Sequence, residues 1–278
     1  MRVLPSPCYV FSDTHLGAAP TDVERQLLAF LRRLAGHAGS LVINGDLFEF
    51  WFEWKWVIPR ASFRVLAALA DLVEAGTPIL WVAGNHDCWG GDVLRRDVGV
   101  DYRVGEWTGS LAGWKTRIAH GDGLREVEDR KYRRLRAVLR HPASVWAFRH
   151  LVHPDWGSRL AAGSSHASRT YQARDGGRGL RAVALAELDA RPDIELLIYG
   201  HSHVAALERA PGGGVYANAG SWMTGPTYLR VEEQRISLMT SDGSAEGQCL
   251  DTLDRRTEES LPEAQKVIGR VGRNEPMR

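Results

Sequence analysis

Apolar runs divide the chain at intervals, and their spacing switches between continuous and helical. Residues 8–12 form a short apolar run of the kind a strand buried on both faces shows. In residues 22–34, Val23, Leu27, Phe30, Leu31 and Leu34 recur at helical spacing, with Thr21 as a candidate N-cap. Residues 41–44 are apolar again, 61–75 read as a helix closed by Gly76 and followed by Pro78, and 79–83 form a third strand. This βαβαβ opening predicts an α/β fold. Leu111 and residues 115–119 flank Ala112, Gly113 and Trp114 as a hairpin. Helical, Arg-rich sequence runs from 126 to about 188, and a continuous apolar strand follows at 194–199. Runs at 215–217, 228–231 and 236–239 predict a finishing meander. Residues 251–278 are polar, contain Pro262 and Pro276, and read as a frayed appendage.

Composition adds limits rather than direction. The chain has 278 residues, 44% hydrophobic and 25% charged, enough for a substantial core. Its net charge of +1 gives the whole molecule no strong pull on nucleic acid or membrane. Three widely spaced cysteines, Cys8, Cys88 and Cys249, argue against a disulfide framework and for a reducing compartment. Cys88 reads as a small space-filler. The N-terminal residues 1–11 lack the pattern of a secretory signal, and no apolar stretch is long enough to span a bilayer, so any membrane contact is expected to be peripheral.

The chemistry collects just after the apolar runs. Asp13-Thr14-His15, Gly45-Asp46, Gly84-Asn85-His86-Asp87, His120-Gly121-Asp122 and Gly200-His201-Ser202-His203 each follow a strand-like segment. Ligands of open α/β sheets bind beyond the carboxyl ends of the strands, so these motifs are expected to converge. Taken singly each is weak, since a Gly-Asp pair or a histidine in a loop is common. Jointly they hold five of the ten histidines and supply Asp13, His15, Asp46, Asn85, His120, His201 and His203. Oxygen and nitrogen donors in this mix suit two divalent ions, manganese first, with iron or zinc as alternatives. Paired ions clamp phosphoryl oxygens and activate water, which points to phosphoester hydrolysis. A metal-free binding scaffold would have lost some of these ligands, and none is missing.

The order D-x-H, GD, GNHD, HGD, GHxH resembles that of the calcineurin-like metallophosphoesterases. The resemblance implies an α/β fold built as a four-layer αββα sandwich with a helical lid insertion. It implies that Asp13, His15 and His203 hold one ion, that Asn85, His120 and His201 hold the other, and that Asp46 bridges both. It also gives His86 a place at the scissile phosphate, serving the leaving group, with Asp87 holding the ring. Asp122 reads either as a residue that orients His120 or as a solvated turn residue.

Two features narrow the substrate. After Asp46 the chain runs Leu47-Phe48-Glu49-Phe50-Trp51-Phe52-Glu53-Trp54-Lys55-Trp56-Val57-Ile58-Pro59. This stretch is similar to that of the UDP-2,3-diacylglucosamine diphosphatase family of the lipid A pathway. The bland reading is a core helix or a dimer contact. The second feature is the insert: residues 124–181 hold 13 Arg and Lys against 5 Asp and Glu, with Tyr132, Leu135, Val138, Leu139, Val145, Trp146, Phe148, Leu151, Val152 and Trp156 interleaved. Such a basic apolar segment suits a membrane surface or a lid over acyl chains. The polar residues Ser164, Ser165, His166, Ser168, Arg169 and Thr170 suit sugar and phosphate contacts.

The resemblance therefore implies hydrolysis of a lipid-linked sugar nucleotide, giving UMP and 2,3-diacylglucosamine 1-phosphate. It implies a cytoplasmic enzyme peripheral on the inner membrane, with no nucleic-acid partner. The expected domain spans residues 1–250, including a lid at about 124–190, with 251–278 as a tail. One departure stands out: many members of that family carry Arg where this chain has His86. The alternative is another phosphoesterase of the superfamily, acting on phosphoproteins, dinucleoside polyphosphates or nucleic acid.

Overall fold

A computed structural model describes residues 2–157, 175–241 and 247–255. The residues 164–170 singled out above, and 256–278 of the expected tail, lie outside the described residues. The strands are β1 (Val3–Leu4), β2 (Cys8–Phe11), β3 (Ser40–Ile43), β4 (Ile79–Val82), β5 (Asp101–Arg103), β6 (Glu106–Leu111), β7 (Trp114–Ala119), β8 (Leu196–Tyr199), β9 (Ala206–Arg209), β10 (Val215–Asn218), β11 (Thr227–Val231), β12 (Arg235–Thr240) and β13 (Gln248–Asp254). Helices α1 (Thr21–Leu34), α2 (Phe63–Glu74), α3 (Arg130–Leu139), α4 (Pro142–Leu151) and α5 (Arg178–Ala190) connect or cover them.

Among the described residues the strands form a seven-stranded sheet, β13-β12-β11-β2-β3-β4-β5, and a six-stranded sheet, β1-β6-β7-β8-β10-β9. The central strands β2, β3 and β4 run parallel, as do β7, β8 and β10. Alternation along each strand builds the layers, because successive side chains point to opposite faces. Cys8, Val10, Val42, Leu80 and Val82 face Leu196, Ile198, Val215 and Ala217 between the sheets. Phe11, Leu41, Ile43 and Trp81 face outward onto Leu27, Leu31, Val65 and Leu69 of α1 and α2. On the far side Leu197, Tyr199 and Tyr216 meet Leu180, Ala184 and Leu188 of α5. The result is the expected α/β sandwich, two facing sheets with helices on both outer faces.

Several local expectations need correction. Pro20 takes the N-cap of α1 and Thr21 is its first residue, with no side-chain cap bond. Trp114 is not part of the hairpin turn; it opens β7 and is buried, and the turn is made by Ala112 and Gly113, both at positive φ. The strand at 215–218 does not join a meander: β10 pairs parallel with β8, and the meander is β11-β12-β13 in the other sheet. The expected boundary after 250 falls inside β13, so residues 251–254 belong to the sheet. Helix α5 packs into the sandwich, so the part of the insert that can act as a lid ends before it.

Candidate metal centre and its lid

Every metal motif sits where a central strand ends. Asp13 follows β2, Asp46 follows β3, Asn85 follows β4, His120 follows β7, and His201 and His203 follow β8. Leaving a strand and turning at once over the sheet edge demands unusual backbone. Six non-glycine residues among those described have positive φ, and five of them are Asp13, His15, Asp46, His201 and His203. Such residues cost of order 1–3 kcal/mol each and persist where surrounding structure enforces them. The motif glycines follow from the same crowding. Gly45 has φ +82, and a Cβ there would run into the His120 ring and the backbone of Gly84. A Cβ on Gly84 would collide with the Asp46 carboxylate.

The side chains meet in adjoining clusters. Asp13, His15 and His203 form one, and Asp46, His120 and His201 another. His203 Nε2 lies 3.3 Å from Asp13 Oδ1 and 3.2 Å from His15 Nε2. His120 Nε2 lies 3.1 Å from Asp46 Oδ2, while its Nδ1 is 2.8 Å from the Asn44 carbonyl. Asp46 Oδ1 accepts from the His86 backbone N–H at 2.9 Å, which ties the bridging candidate to the GNHD loop. The Asn85 Oδ1 is buried with no hydrogen-bond partner among the described residues. A buried carbonyl oxygen left so is costly, and a cation would satisfy it. Carboxylates, imidazoles and that amide oxygen make the clusters suitable for a pair of divalent ions.

The electrostatics of the clusters set acids against histidines. Burial works to raise the Asp46 carboxyl, but His120, His86 and His15 outweigh it and hold it well below the usual range. Burial likewise opposes charge on His120, yet Asp46 and Asp13 lift its pKa well above the ordinary value. His201 is pushed down to about 4 by burial and then by the His120 charge, so it stands as the neutral imidazole that ligation requires.

Two expected roles are overturned. Asp87 does not hold the His86 ring. It is fully buried, and its carboxylate accepts from Gly84 N (2.7 Å), Leu47 N (2.9 Å) and Trp81 Nε1 (3.2 Å). It therefore pins the GNHD loop to the GD loop. Burial, then the Asp46 charge, push its pKa up to about 6. Asp122 neither orients His120, whose Nδ1 is taken by Asn44, nor lies in solvent. Its buried carboxylate receives Tyr132 Oη (2.8 Å) and Arg136 (3.1 Å) from α3 and Arg140 (3.2 Å) from its C-cap. Arg136 also donates to the Asp122 carbonyl at 2.7 Å. One acidic side chain thus clamps the lid onto a metal loop.

Glu49 is a residue that sequence reasoning missed. It is buried, and its Oε2 lies 3.0 Å from His15 Nδ1. The signal was a carboxylate inside an otherwise aromatic run, where a buried charge needs a reason.

The aromatic run is a loop, not a helix. It splits three ways. Phe48 and Trp51 are buried in the core beneath the loop, Phe50 and Phe52 point toward the lid, and Trp56 is 86% exposed. Phe52 and Phe148 of α4 have ring centroids 4.8 Å apart, and Trp89 Nε1 donates to the Leu139 carbonyl at 3.1 Å. Between loop and lid lies a cavity of about 380 Å³. Phe50, Phe52, Trp89, Leu135, Leu139, Val145 and Phe148 give it apolar walls, and Glu49, Asn85 and His86 form its metal end. Cys88 lines it too, its thiol pushed up to about 12 by burial, as befits an inert space-filler.

A family model for calcineurin-like phosphoesterases matches residues 6–205, and the chain belongs to that family. It is a metal-dependent phosphoester hydrolase by family. Within it, the chain is 32% identical over 220 residues to a UDP-2,3-diacylglucosamine hydrolase of Porphyromonas gingivalis, covering 72% of this chain and 84% of that one. It is 32% identical over 259 residues to a Stenotrophomonas maltophilia protein of the same name, covering 88% and 97%. A Pseudomonas syringae relative, also so named, is 28% identical over 84% and 95%. A solved dimetal phosphatase from Danio rerio aligns at 13% identity over 90% of this chain and 99% of that one, with a TM-score of 0.42, too loose a likeness to add to the assignment.

Proposed function

We propose that this enzyme hydrolyses the pyrophosphate of UDP-2,3-diacylglucosamine, releasing UMP and 2,3-diacylglucosamine 1-phosphate. The observation that carries the reading is the largely apolar cavity that opens at Asn85, His86 and Glu49 and carries Arg136 and Arg140 in its lining. Its size falls in the range of small-molecule sites. The relatives' names support the same substrate class. Burying acyl methylenes contributes about 0.8 kcal/mol each, so two chains between loop and lid supply most of the binding energy.

Asp13, His15 and His203 would hold one divalent ion and Asn85, His120 and His201 the other, with Asp46 beside both; manganese is the first choice and iron or zinc the alternatives. When bound, such ions neutralise the phosphoryl oxygens and acidify the attacking water. The chain's own residues do the rest. Asp46 brings its carboxylate to both clusters. His86 turns its Nε2 to the metal end of the cavity, where its proton would serve the leaving sugar phosphate. The apolar walls keep water from the acyl chains and hold the pyrophosphate at the cluster. Where many members of the diphosphatase family carry Arg, this chain has the smaller imidazole ring of His86.

The lid also suits a membrane surface. Val127, Val138, Trp146, Leu151 and Trp156 are exposed among its arginines. We extend the proposal to peripheral attachment at the cytoplasmic face of the inner membrane, each Arg or Lys adding about 1 kcal/mol at an anionic surface. The test of the reaction is the product set from UDP-diacylglucosamine, UDP-N-acetylglucosamine, a diadenosine polyphosphate and an aryl phosphodiester. UMP from the first is the expected product. Efficient cleavage of the dinucleotide with none of the lipid would replace this reading with a different phosphoesterase.

A further inference from the structure

Glu49 touches two histidines that the proposed reaction uses in different ways. Its carboxylate Oε2 is 3.0 Å from His15 Nδ1, and its backbone carbonyl is 2.8 Å from His86 Nδ1. Both acceptors dictate where a proton sits. A carbonyl oxygen only accepts, so His86 Nδ1 must carry hydrogen, and its Nε2 is the atom facing Asp46 Oδ2 at 4.0 Å. Where the Glu49 carboxylate is ionised it too only accepts, which puts hydrogen on His15 Nδ1 and leaves His15 Nε2, 3.2 Å from His203 Nε2, to offer a lone pair.

The segment that does this is itself fixed. Glu49 N donates to the Leu16 carbonyl and Trp51 N to the His86 carbonyl, each at 3.0 Å. Phe48 and Trp51, on either side, are buried in the core. Glu49 is therefore stapled between the D-x-H loop and the GNHD loop by backbone, with its side chain turned inward.

We propose that Glu49 is a positioning residue that sets both rings at once, His15 through its side chain and His86 through its backbone. This deepens the reading of His15 as a metal ligand and His86 as the leaving-group residue, and rests on it. It takes the place that Asp87 was expected to fill. A histidine that ligates through one nitrogen and hydrogen-bonds through the other commonly loses ten- to a hundredfold in metal affinity when that partner is removed.

The two bonds differ in what a substitution can reach. Glu49→Leu removes the carboxylate but not the carbonyl. Glu49→Gln keeps an oxygen that can accept from His15. The experiment uses the zinc-loaded full chain and no substrate, so its outcome is separate from the identity of the substrate. Zinc affinity is read by competition with a chromophoric chelator, and the protected Nδ1–H protons of the histidines by NMR. Glu49→Leu should bind one of its two ions roughly 10–100-fold more weakly and lose the His15 Nδ1–H signal, while the His86 signal stays. Glu49→Gln should recover most of both. Wild-type affinity for both ions in Glu49→Leu would overturn the proposal. So would loss of the His86 signal together with that of His15, which would mean a collapsed loop. If Glu49→Leu does not fold, Glu49→Gln decides alone: loss of one ion there would make Glu49 a ligand by charge and end its role as a positioning residue.

Discussion

Asp13, Asp46 and His201 stand at the ends of strands buried on both faces, whereas Leu135 and Phe148 stand on helices in which no residue is buried. The two regions meet in one cavity, but they are held by different means. The metal cluster is fixed by backbone: positive-φ turns, glycines with no room for a Cβ, and the Asp87 carboxylate stapling two loops. The lid is fixed by a few polar contacts, above all those of Asp122 and the bond from Trp89 to the Leu139 carbonyl, and by the ring contact of Phe148 with Phe52 of the aromatic loop. Chemistry that needs ligands placed to fractions of an ångström rests on the part that local opening reaches last. The proposed binding of an acylated substrate rests on the part held by fewer contacts.

Breaking the cluster should have the largest effect. Asp46→Ala removes the carboxylate proposed to lie between the two ions and should lower turnover by roughly 10³-fold or more, since paired ions supply several kcal/mol of transition-state stabilisation. Prolonged chelation should do the same to the wild type, with recovery on adding manganese. His86→Ala comes next, with a loss of about 10²–10⁴-fold in turnover if it acts as acid, and with both ions retained. Metal analysis of the purified variant checks this, and loss of an ion would make His86 a ligand.

Breaking the lid should act on selectivity. Asp122→Asn weakens charge-assisted bonds to Arg136 and Arg140 worth about 1.5–3 kcal/mol each, so the advantage of the diacyl substrate over UDP-N-acetylglucosamine should fall roughly ten- to a hundredfold. Circular dichroism should show the sandwich intact. An unchanged advantage would mean that Asp122 does not hold the cavity together. The smallest effect concerns the outer face of the lid. Flotation with anionic liposomes should succeed at low salt and weaken at high salt, since exposed charges are screened. No flotation at either salt would leave α3 and α4 as a cover for substrate alone.

The same contrast decides what could be read from the chain beforehand. Strands buried on both faces appear as continuous apolar runs, so β2, β3, β4 and β8 and the motifs that end them were legible. Sheet membership was not: β10 is as apolar as β11, and nothing local tells it to pair with β8. The side chains of α1 that face the core were legible from helical spacing, though its cap was not. The motif residues are legible as a set, but the partners of Asp87, Asp122 and Glu49 lie up to 40 residues away and become visible only in three dimensions. The aromatic run pointed to the cavity without revealing that its members serve core, cavity and surface in turn.

The most direct test of the account is the wild-type kcat/KM for UDP-2,3-diacylglucosamine against UDP-N-acetylglucosamine, with products identified. If cluster and lid act on one molecule, UMP appears from both and the acylated substrate is favoured by at least about 10²-fold, because many methylenes at about 0.8 kcal/mol each leave water in the cavity. Equal efficiency for the two would contradict the account, since the cavity beside Asn85 and His86 would then contribute nothing to the reaction.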